Sequence, residues 1–400
     1  MTRDGVKLTT TRGMRGFVDG IVSVSLSAYL TVLGYSGVKI GLLVAAMLLG
    51  SAALTLLTGT AGHRYRRRTL LLAGGILMIT SGVTFATTTV FAVLLIVGAI
   101  GTINPTSGDV SIFLPMEQSL LTATAPDQQR TALFARYAFV GGIAAAIGSL
   151  AAGLPEWISR HTSMSEEASL RGVFVVYALA GVAVLVLYGS LSTAIEPPPQ
   201  HAPAPLSESR SIVYRLAAVF SLDAFGGGFV VQSLLALWLF RRFDLSLGAA
   251  GALLFWTGTC SAFSAFVAAR IARRIGLIRT MVFTHLPAQI FLVLAAFMPN
   301  LGLAITFLVL RSLLSAMDVP ARNSYVMAVV SPSERAAAAS ITNVPRSLAS
   351  VLPPIAAGWM LDHSTFGWPL VIAGTTKATY DLILLSMFRN VRPPEEQPVS

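Results

Sequence analysis

Long runs of apolar residues alternate with short polar connections along almost the whole chain. A helix that crosses the hydrocarbon core of a bilayer needs about 20 apolar residues, and twelve runs reach this length. We predict spans at residues 16–35, 38–60, 69–88, 91–121, 131–154, 172–191, 216–240, 247–269, 278–297, 301–330, 336–360 and 368–388. The predicted fold class is therefore an all-α integral membrane protein with twelve transmembrane helices.

The composition agrees with a membrane environment. Of the 400 residues, 54% are hydrophobic and 12% are charged, whereas soluble proteins carry about 25% charged residues. The net charge of +10 comes from basic residues scattered between apolar runs, which indicates a bilayer and no nucleic acid as partner. Cys260 is the single cysteine, so an internal disulfide and a cysteine-rich metal site are excluded. Neither His-Glu-x-x-His nor Gly-x-Ser-x-Gly occurs, and we predict no enzyme, metal or cofactor.

Basic residues are distributed unequally between the two sides of the predicted membrane. With the amino terminus inside, the inner connections hold nineteen lysines and arginines and the outer connections hold five. Cytoplasmic loops of membrane proteins carry such an excess of basic residues. We therefore predict a multi-pass protein of the plasma (inner) membrane with both termini in the cytoplasm.

The chain contains an internal repeat at an offset of about 205 residues. At this shift Pro115 falls on Pro320 and Arg130 on Arg335 without a gap. Two repeats with an even number of spans enter the membrane in the same orientation. Two such bundles can rock against each other about a site that lies between them, which is a mechanism of transport. Packed domains without relative motion are the alternative. The predicted domains are a six-helix bundle, a proline-rich linker and a second six-helix bundle, at 1–195, 196–210 and 211–400.

The connection between spans two and three carries a glycine and a basic cluster. It reads Gly59-Thr-Ala-Gly-His-Arg-Tyr-Arg-Arg-Arg68. This resembles the signature of the major facilitator superfamily, which has Gly, three residues and Asp-Arg-Tyr-Gly-Arg-Arg. His63 replaces the acid of that signature, and Arg66 replaces its second glycine. The resemblance implies a transporter of two six-helix repeats, with a cytoplasmic gate that includes Gly59, His63, Arg64, Arg67 and Arg68.

Two interpretations of His63 stay open. In the superfamily the acid at this position takes part in a charge lock between helices. Because histidine titrates near pH 6.5, His63 in that role would make the gate sensitive to cytoplasmic acidity. The alternative is a solvated loop histidine beside arginines.

Span ten carries a pattern of polar residues at helical spacing. An ionised side chain at mid-membrane costs at least about 2.5–3.5 kcal/mol, so each needs a partner, water or a function. Asp318 and Arg322 are spaced either for a self-neutralising ion pair or for a substrate or proton site. Arg311 has no obvious partner on its own helix, and we predict that it contacts an anion or a carboxylate. Intervals of four, three and four residues place these side chains on one predicted polar face of the helix: Arg311, Ser315, Asp318 and Arg322.

The resemblance places spans one, four, seven and ten around a central cavity. In span four, Asn104, Pro105 and Gly108 predict a helix break, which is typical of solute and ion sites. Asp109 follows the break and is predicted to be embedded in the membrane, whereas Glu117 is expected in cytoplasmic water. Further charged residues inside or near predicted spans are Asp19, Asp223, Arg346, Lys377 and Asp381.

Asp19 and Asp223 occupy matching places near the inner ends of spans one and seven. A carboxylate in a partly dry place suits a proton carrier, and Asp109 or Asp223 is the predicted one. Helix capping is the alternative for Asp19.

These observations predict a transporter that moves a small organic solute by alternating access, as a proton-coupled exporter (an antiporter). The first alternative is proton-coupled import or uniport of a small organic anion, which a substrate contact of Arg311 would favour. The second is a membrane solute sensor that does not transport. The predicted partners are the solute and the bilayer, the coupling ion is a proton, and the protein is predicted to be a monomer.

Overall fold

The computed structural model of the chain is built from α-helices. It describes residues 2–61, 65–106, 112–124, 130–192, 195–196, 206–331 and 334–391, and no strand lies within these ranges. The predicted all-α fold is confirmed. The helices are α1 (Arg3–Val32), α2 (Gly37–Ala61), α3 (Arg67–Thr87), α4 (Phe91–Ile100), α5 (Phe113–Leu121), α6 (Arg130–Ala151), α7 (Leu154–His161), α8 (Glu166–Gly189), α9 (Arg210–Gly228), α10 (Gln232–Phe243), α11 (Leu247–Ile275), α12 (Leu277–Phe297), α13 (Leu301–Ser315), α14 (Asp318–Ala328), α15 (Arg335–Ala349), α16 (Pro353–His363) and α17 (Trp368–Phe388).

Most of the predicted spans correspond to helices that suit a bilayer. Within the described ranges, nine helical segments are long and apolar enough to cross a membrane. The other predicted spans correspond to α1, which carries several charged residues, and to two interrupted helices, α4 with α5 and α15 with α16. The prediction of twelve spans agrees with this arrangement.

The helices form two compact units. One consists of residues 1–200 with 231–258, and the other of residues 201–230 with 259–400. The core of the first unit includes Leu71 of α3 and Phe113 of α5. The core of the second includes Met281 of α12. The predicted boundaries of two six-helix bundles around a linker stay a prediction.

Span four is broken where the sequence predicts it. Helix α4 ends at Ile100, and the Oδ1 atom of Asn104 accepts hydrogen bonds from Thr106 N at 2.9 Å and from Thr106 Oγ1 at 2.7 Å. A side chain that bonds its own backbone two residues on competes with the helical hydrogen bonds. Pro105 adds to the break because it lacks an amide donor. Asn104 and Pro105 therefore lie at the break, whereas Gly108 and Asp109 lie outside the described residues.

Span ten also consists of two helices, separated by two residues. Helix α13 ends at Ser315, and α14 begins at Asp318. Pro320 is tolerated in the first turn of α14, where an amide donor has no helical partner. Asp318 in that turn interacts favourably with the helix dipole. Ala316 and Met317 between the two helices keep right-handed helical backbone angles, and the single polar face from Arg311 to Arg322 stays a prediction.

The helix starts show the internal repeat directly. Helix α5 begins at Phe113 and α14 at Asp318, and α6 begins at Arg130 and α15 at Arg335. Both pairs of starting residues differ by 205, the offset found in the sequence. The helices that follow these interruptions thus begin at matching positions in the two halves.

Glycines bring the backbones of α1 and α6 into contact. A Cβ atom on Gly20 would lie 2.0 Å from the carbonyl oxygen of Ala145, and one on Gly148 would lie 1.9 Å from that of Phe17. A Cβ atom on Gly16 would lie 2.6 Å from the carbonyl oxygen of Gly141. Small residues at such spacing allow close helix packing in membranes.

Two glutamates accept hydrogen bonds from backbone amides near the two ends of the proline-rich segment. Glu196 precedes the prolines, and Glu334 binds residues that follow them. Glu196 accepts hydrogen bonds from Arg67 N at 2.9 Å and from Arg68 N at 2.8 Å, at the start of α3. Glu334 accepts from Ser207 N at 2.6 Å, and from the amides of Glu208 and Ser209 at 3.0 Å each. Each carboxylate thereby satisfies amide donors near the start of a helix.

We expect Glu334 to stabilise the protein in a pH-dependent way. Hydrogen bonds from the Ser207 side chain and backbone lower the pKa of Glu334 from 4.5 to about 2. Because the folded pKa is the lower one, the stabilisation is complete above about pH 4.5 and is lost as the pH falls towards 2. The Glu334→Gln variant should melt below the wild type in detergent at pH 7, and the difference should shrink on acidification. A difference that stays constant down to pH 3 would contradict this assignment.

Candidate functional site

The second unit contains a buried cluster of charged side chains drawn from five helices. Its members lie on α9, α12, α14, α15 and α17. All of them except Arg346 are at most 9% exposed. We call this group the Asp223 cluster: Asp223, His285, Asp318, Arg322, Arg346, Lys377 and Asp381.

Asp223 lies among three side chains that carry a positive charge. Its Oδ1 atom accepts from Lys377 Nζ at 2.5 Å, and its Oδ2 atom accepts from Arg322 Nη1 at 3.2 Å. Arg346 Nη2 lies 4.0 Å from the same Oδ2. A buried carboxylate is tolerated when it is paired and hydrogen-bonded in this way.

The glycines of α9 explain how Lys377 reaches Asp223. A Cβ atom on Gly226 would lie 2.9 Å from Lys377 Cγ, and one on Gly227 would lie 3.5 Å from Lys377 Cε. The aliphatic part of the lysine therefore passes over backbone without side chains and places the ammonium group one turn away, at Asp223. Larger residues at these two positions would displace it.

Asp318 and Arg322 form the ion pair that their spacing predicts. The Arg322 Nη1 atom lies 3.2 Å from Asp318 Oδ2 and 3.2 Å from Asp223 Oδ2. The guanidinium also lies over the ring of Phe220, 5.6 Å from its centroid. Arg322 thus links α14 to α9.

His285 joins the remaining carboxylate to the cluster. Its Nδ1 atom lies 3.0 Å from both oxygens of Asp381, which is fully buried. Its Nε2 atom lies 2.9 Å from Gln289 Nε2 and 3.8 Å from Asp223 Oδ1. The imidazole therefore stands between two carboxylates on different helices.

Arg311 lies on α13, near the charge of Asp223. Its Nε atom is buried, and the described residues provide neither a hydrogen bond nor an ion pair for the side chain. The sequence-based expectation of an anion contact stays a prediction. Ser315 is the last residue of α13 and is partly buried.

The first unit contains a second charged centre, at Glu117. This residue is fully buried, so the expectation that it lies in cytoplasmic water is wrong. Its Oε1 atom accepts from Thr11 Oγ1 at 2.7 Å and from Tyr188 OH at 2.6 Å. Its Oε2 atom accepts from Arg15 and from Tyr137. Four donors from α1, α6 and α8 thus surround one carboxylate of α5.

The two centres occupy matching places with opposite charge. Glu117 and Arg322 are each the fifth residue of α5 and α14, and they are 205 positions apart. In the first half an arginine of α1 binds a carboxylate of α5. In the second half a carboxylate of α9 binds an arginine of α14. In each half an ion pair therefore links the first and fourth spans. The fourth span supplies the acid in the first half, and the first span supplies it in the second half.

Asp19 is buried in α1, at 7% exposure. It lies near the positive charges of Arg15 and Arg12, but within the described part of the chain no hydrogen bond or ion pair is formed by its carboxylate. It lies in the middle of a helix that begins at Arg3, so the alternative that it caps a helix is wrong.

The predicted gate lies only partly within the described residues. Arg67 and Arg68 open α3, and a side-chain nitrogen of Arg68 donates to the carbonyl oxygen of Gly189. His63 and Arg64 lie outside the described residues, and Gly59 is described only as part of α2. The gate and the role of His63 stay predictions.

Sequence reasoning missed His285 and gave no role to Lys377 and Asp381. The available signal was a spacing of four: Lys377 with Asp381 on α17, and His285 with Gln289 on α12, in otherwise apolar helices. Residues four apart share a helix face, so both pairs indicate a face that avoids lipid. Across the residues that the structure describes, no group of three or more side chains is arranged to hold a metal ion.

The sequence profile described as Major Facilitator Superfamily matches residues 8–283 and 216–400 of this chain. The chain belongs to the major facilitator superfamily. This agrees with the resemblance found in the loop after span two, and it identifies a transporter rather than an enzyme.

This superfamily member is similar to a curated protein and to solved structures over most of its length. The uncharacterized membrane protein YJR124C of Saccharomyces cerevisiae is 25% identical, over 93% of this chain and 91% of that protein. The solved structure of the nucleoside transporter NupG matches with a TM-score of 0.74 and 13% identity, over 97% of this chain and 100% of that chain. A D-xylose-proton symporter matches with a TM-score of 0.72 and 15% identity, over 99% of both chains. At these identities the two structures show the fold.

Proposed function

We propose that this protein is a secondary active transporter that exports a small organic solute in exchange for protons. The observation that carries the proposal is the buried Asp223 cluster. It connects five helices of one unit through ion pairs and includes a histidine. A transporter that uses a proton gradient needs such a site, because protonation must change the forces between helices.

The charge balance of the cluster supports coupling to protons. Besides His285, the cluster contains three carboxylates, Asp223, Asp318 and Asp381, and the three cations of Arg322, Arg346 and Lys377. The cluster is therefore neutral when the histidine is neutral and carries one positive charge when it is protonated. Histidine is the side chain whose ordinary titration range falls near neutral pH.

The solute is a small polar molecule in this proposal. Spans four and ten are both interrupted, and interrupted spans leave backbone groups available to a solute in other transporters. Among the similar structures, NupG is named a nucleoside transporter and another is named a D-xylose-proton symporter. Nucleosides and pentoses are therefore suitable first candidates.

A small organic anion is a second candidate, and Arg311 is the observation that favours it. The cation lies near Asp223 and has a buried Nε atom without a hydrogen-bond partner in the described structure. A carboxylate of the solute would supply the missing acceptor. Import or uniport of such an anion is the corresponding mechanism.

We also propose that the protein lies in the plasma (inner) membrane with both termini in the cytoplasm. The support is the excess of basic residues on one side, nineteen against five.

Purified full-length protein in liposomes tests the proposal. Liposomes are prepared with an acidic or an alkaline interior, and the uptake of radiolabelled uridine, D-xylose and benzoate is measured. Exchange of solute for protons predicts accumulation when the interior is acidic, because protons leave as the solute enters. Symport predicts accumulation when the exterior is acidic. A protonophore should abolish both.

The remaining outcomes separate the alternatives. Uptake that depends only on the solute gradient contradicts proton coupling and indicates uniport. Accumulation of benzoate alone favours the organic anion. If none of the solutes accumulates and none exchanges with unlabelled solute, the transport proposal fails for these classes and the sensor interpretation is favoured.

A further inference from the structure

We propose that the coupling proton binds to the pair His285 and Asp381, and that its charge acts on Asp223 through the imidazole. This inference rests on the proposed function and names the proton-binding group within it. In this inference Asp223, one of the two carboxylates that the sequence suggests as proton carriers beside Asp109, keeps its negative charge and responds to the proton on its neighbour.

Asp381 differs from the other two carboxylates of the cluster in its partner. Asp223 and Asp318 both contact the guanidinium of Arg322, which keeps its proton in proteins. Asp381 is fully buried, and among the described residues its hydrogen-bond and ion-pair partner is His285 alone. Its charge is therefore balanced directly only when the imidazole carries an additional proton.

Gln289 can accept a hydrogen bond from the second nitrogen of the imidazole when that nitrogen carries the proton. In the neutral pair, Nδ1–H donates to Asp381, and Nε2 accepts from the amide group of Gln289 at 2.9 Å. The Oε1 atom of Gln289 is buried without a hydrogen-bond partner in the described structure. Protonation turns Nε2 into a donor, and rotation of the Gln289 amide brings Oε1 to it. The same rotation gives this oxygen the hydrogen-bond partner that it lacks beside the neutral imidazole.

Binding of the proton changes the ion pair between Asp223 of α9 and Lys377 of α17. The Nε2 atom lies 3.8 Å from Asp223 Oδ1, and this oxygen accepts from Lys377 Nζ at 2.5 Å. The positive charge of a protonated imidazole, 3.8 Å from this oxygen, competes with that of the Lys377 ammonium group for the same carboxylate. Proton uptake therefore weakens the link between Asp223 and Lys377, and proton release restores it. One proton binds at Nε2 and one leaves per cycle, and no other covalent bond changes.

The basic and phenolic side chains around this pair are of types that keep their charge state near neutral pH. Arginine stays charged in proteins, and lysine and tyrosine ordinarily titrate near pH 10. The charged and titratable groups that the structure places in or next to the cluster around His285 are Asp223 of α9, Arg311 of α13, Asp318 and Arg322 of α14, Arg346 of α15, and Lys377, Tyr380 and Asp381 of α17.

Histidine-selective NMR of the full-length protein in detergent tests the site without a solute. The chain has 5 histidines, and the His285→Asn variant identifies the signal of His285. In the wild type this signal should change with pH between about 5 and 8. In Asp381→Asn the midpoint of the change should move by about one pH unit or more, because a charged partner is lost. The other histidine signals should stay unchanged and serve as internal controls.

Transport in liposomes supplies the second measurement. Asp381→Asn and His285→Asn should lower gradient-driven accumulation of the transported solute, among uridine, D-xylose and benzoate, by about tenfold or more. Both should keep exchange of labelled for unlabelled solute at equal pH. His363→Asn is the matched control, because His363 is exposed and its described contacts are with the ring and the backbone oxygen of Trp359 on its own helix. Its accumulation should equal that of the wild type.

The possible failures are distinct. If the wild type transports and Asp381→Asn remains fully coupled, this inference is overturned while the proposed function stands. If the wild type does not transport, the proposed function fails, and the NMR measurement still decides whether the pair binds a proton. A wild-type His285 signal that does not change between about pH 5 and 8 overturns the inference even where a variant fails to fold.

Discussion

The Glu117→Gln substitution should lower the free energy of unfolding by about 3–5 kcal/mol, the usual cost of breaking a buried ion pair on one side. Arg15 is 2% exposed, and its charge would lose the carboxylate that balances it. Tyr137, Tyr188 and Thr11 would bind a neutral amide in place of a charged acceptor. Unfolding in detergent, followed by circular dichroism, measures the loss.

A double-mutant cycle and a surface control complete this test. Arg15→Met combined with Glu117→Gln should cost less than the sum of the single changes, because no unpaired charge remains. Glu167→Gln removes the ion pair of Glu167 with Arg171, whose side chains are 41% and 33% exposed. It should change the stability by less than about 1 kcal/mol. Equal effects of Glu117→Gln and Glu167→Gln would refute a stabilising role of the buried pair.

The Gly20→Ala substitution should cost about 1–3 kcal/mol or more, because the added methyl group meets backbone. Its Cβ atom would lie 2.0 Å from the carbonyl oxygen of Ala145 and 2.8 Å from the carbonyl carbon. A flexible side chain can give way, whereas a helix backbone can move only if α1 and α6 separate. We expect a lower melting temperature in detergent and a smaller yield of folded protein.

Gly172→Ala is the matched control on α8. A Cβ atom on Gly172 meets nothing within 4 Å, so the change should be neutral or stabilising by up to about 1 kcal/mol through helix propensity. If Gly20→Ala behaves like Gly172→Ala, the close approach of α1 and α6 is not a constraint on stability.

The features that follow from local pattern were predictable from the sequence. The break in span four follows from the local chemistry of Asn104 and Pro105. The offset of 205 appears again in the helix starts. The ion pair of Asp318 with Arg322 follows from a spacing of four within one helix. Each of these depends on residues close in sequence or on a simple comparison of the halves.

The features that depend on helix neighbours were not predictable in the same way. Glu117 was expected in water because span four is long, yet its partners come from three other helices. The sequence does not single out His285 as a functional residue, because a lone histidine on an apolar helix carries little information. Its importance arises from Asp381, 96 positions away, and from Asp223. Spacing along one helix does not reveal which faces of different helices meet.

The reversed ion pairs at Glu117 and Arg322 have a consequence for how such repeats are recognised. Residue identity treats this position as a mismatch, although both copies retain a neutralised charge between the same two helices of the half. The two halves share electrostatic complementarity at this place, while the helix that supplies the acid is exchanged between them. A comparison that scores complementary pairs of positions, rather than single residues, would therefore count this position in favour of the repeat.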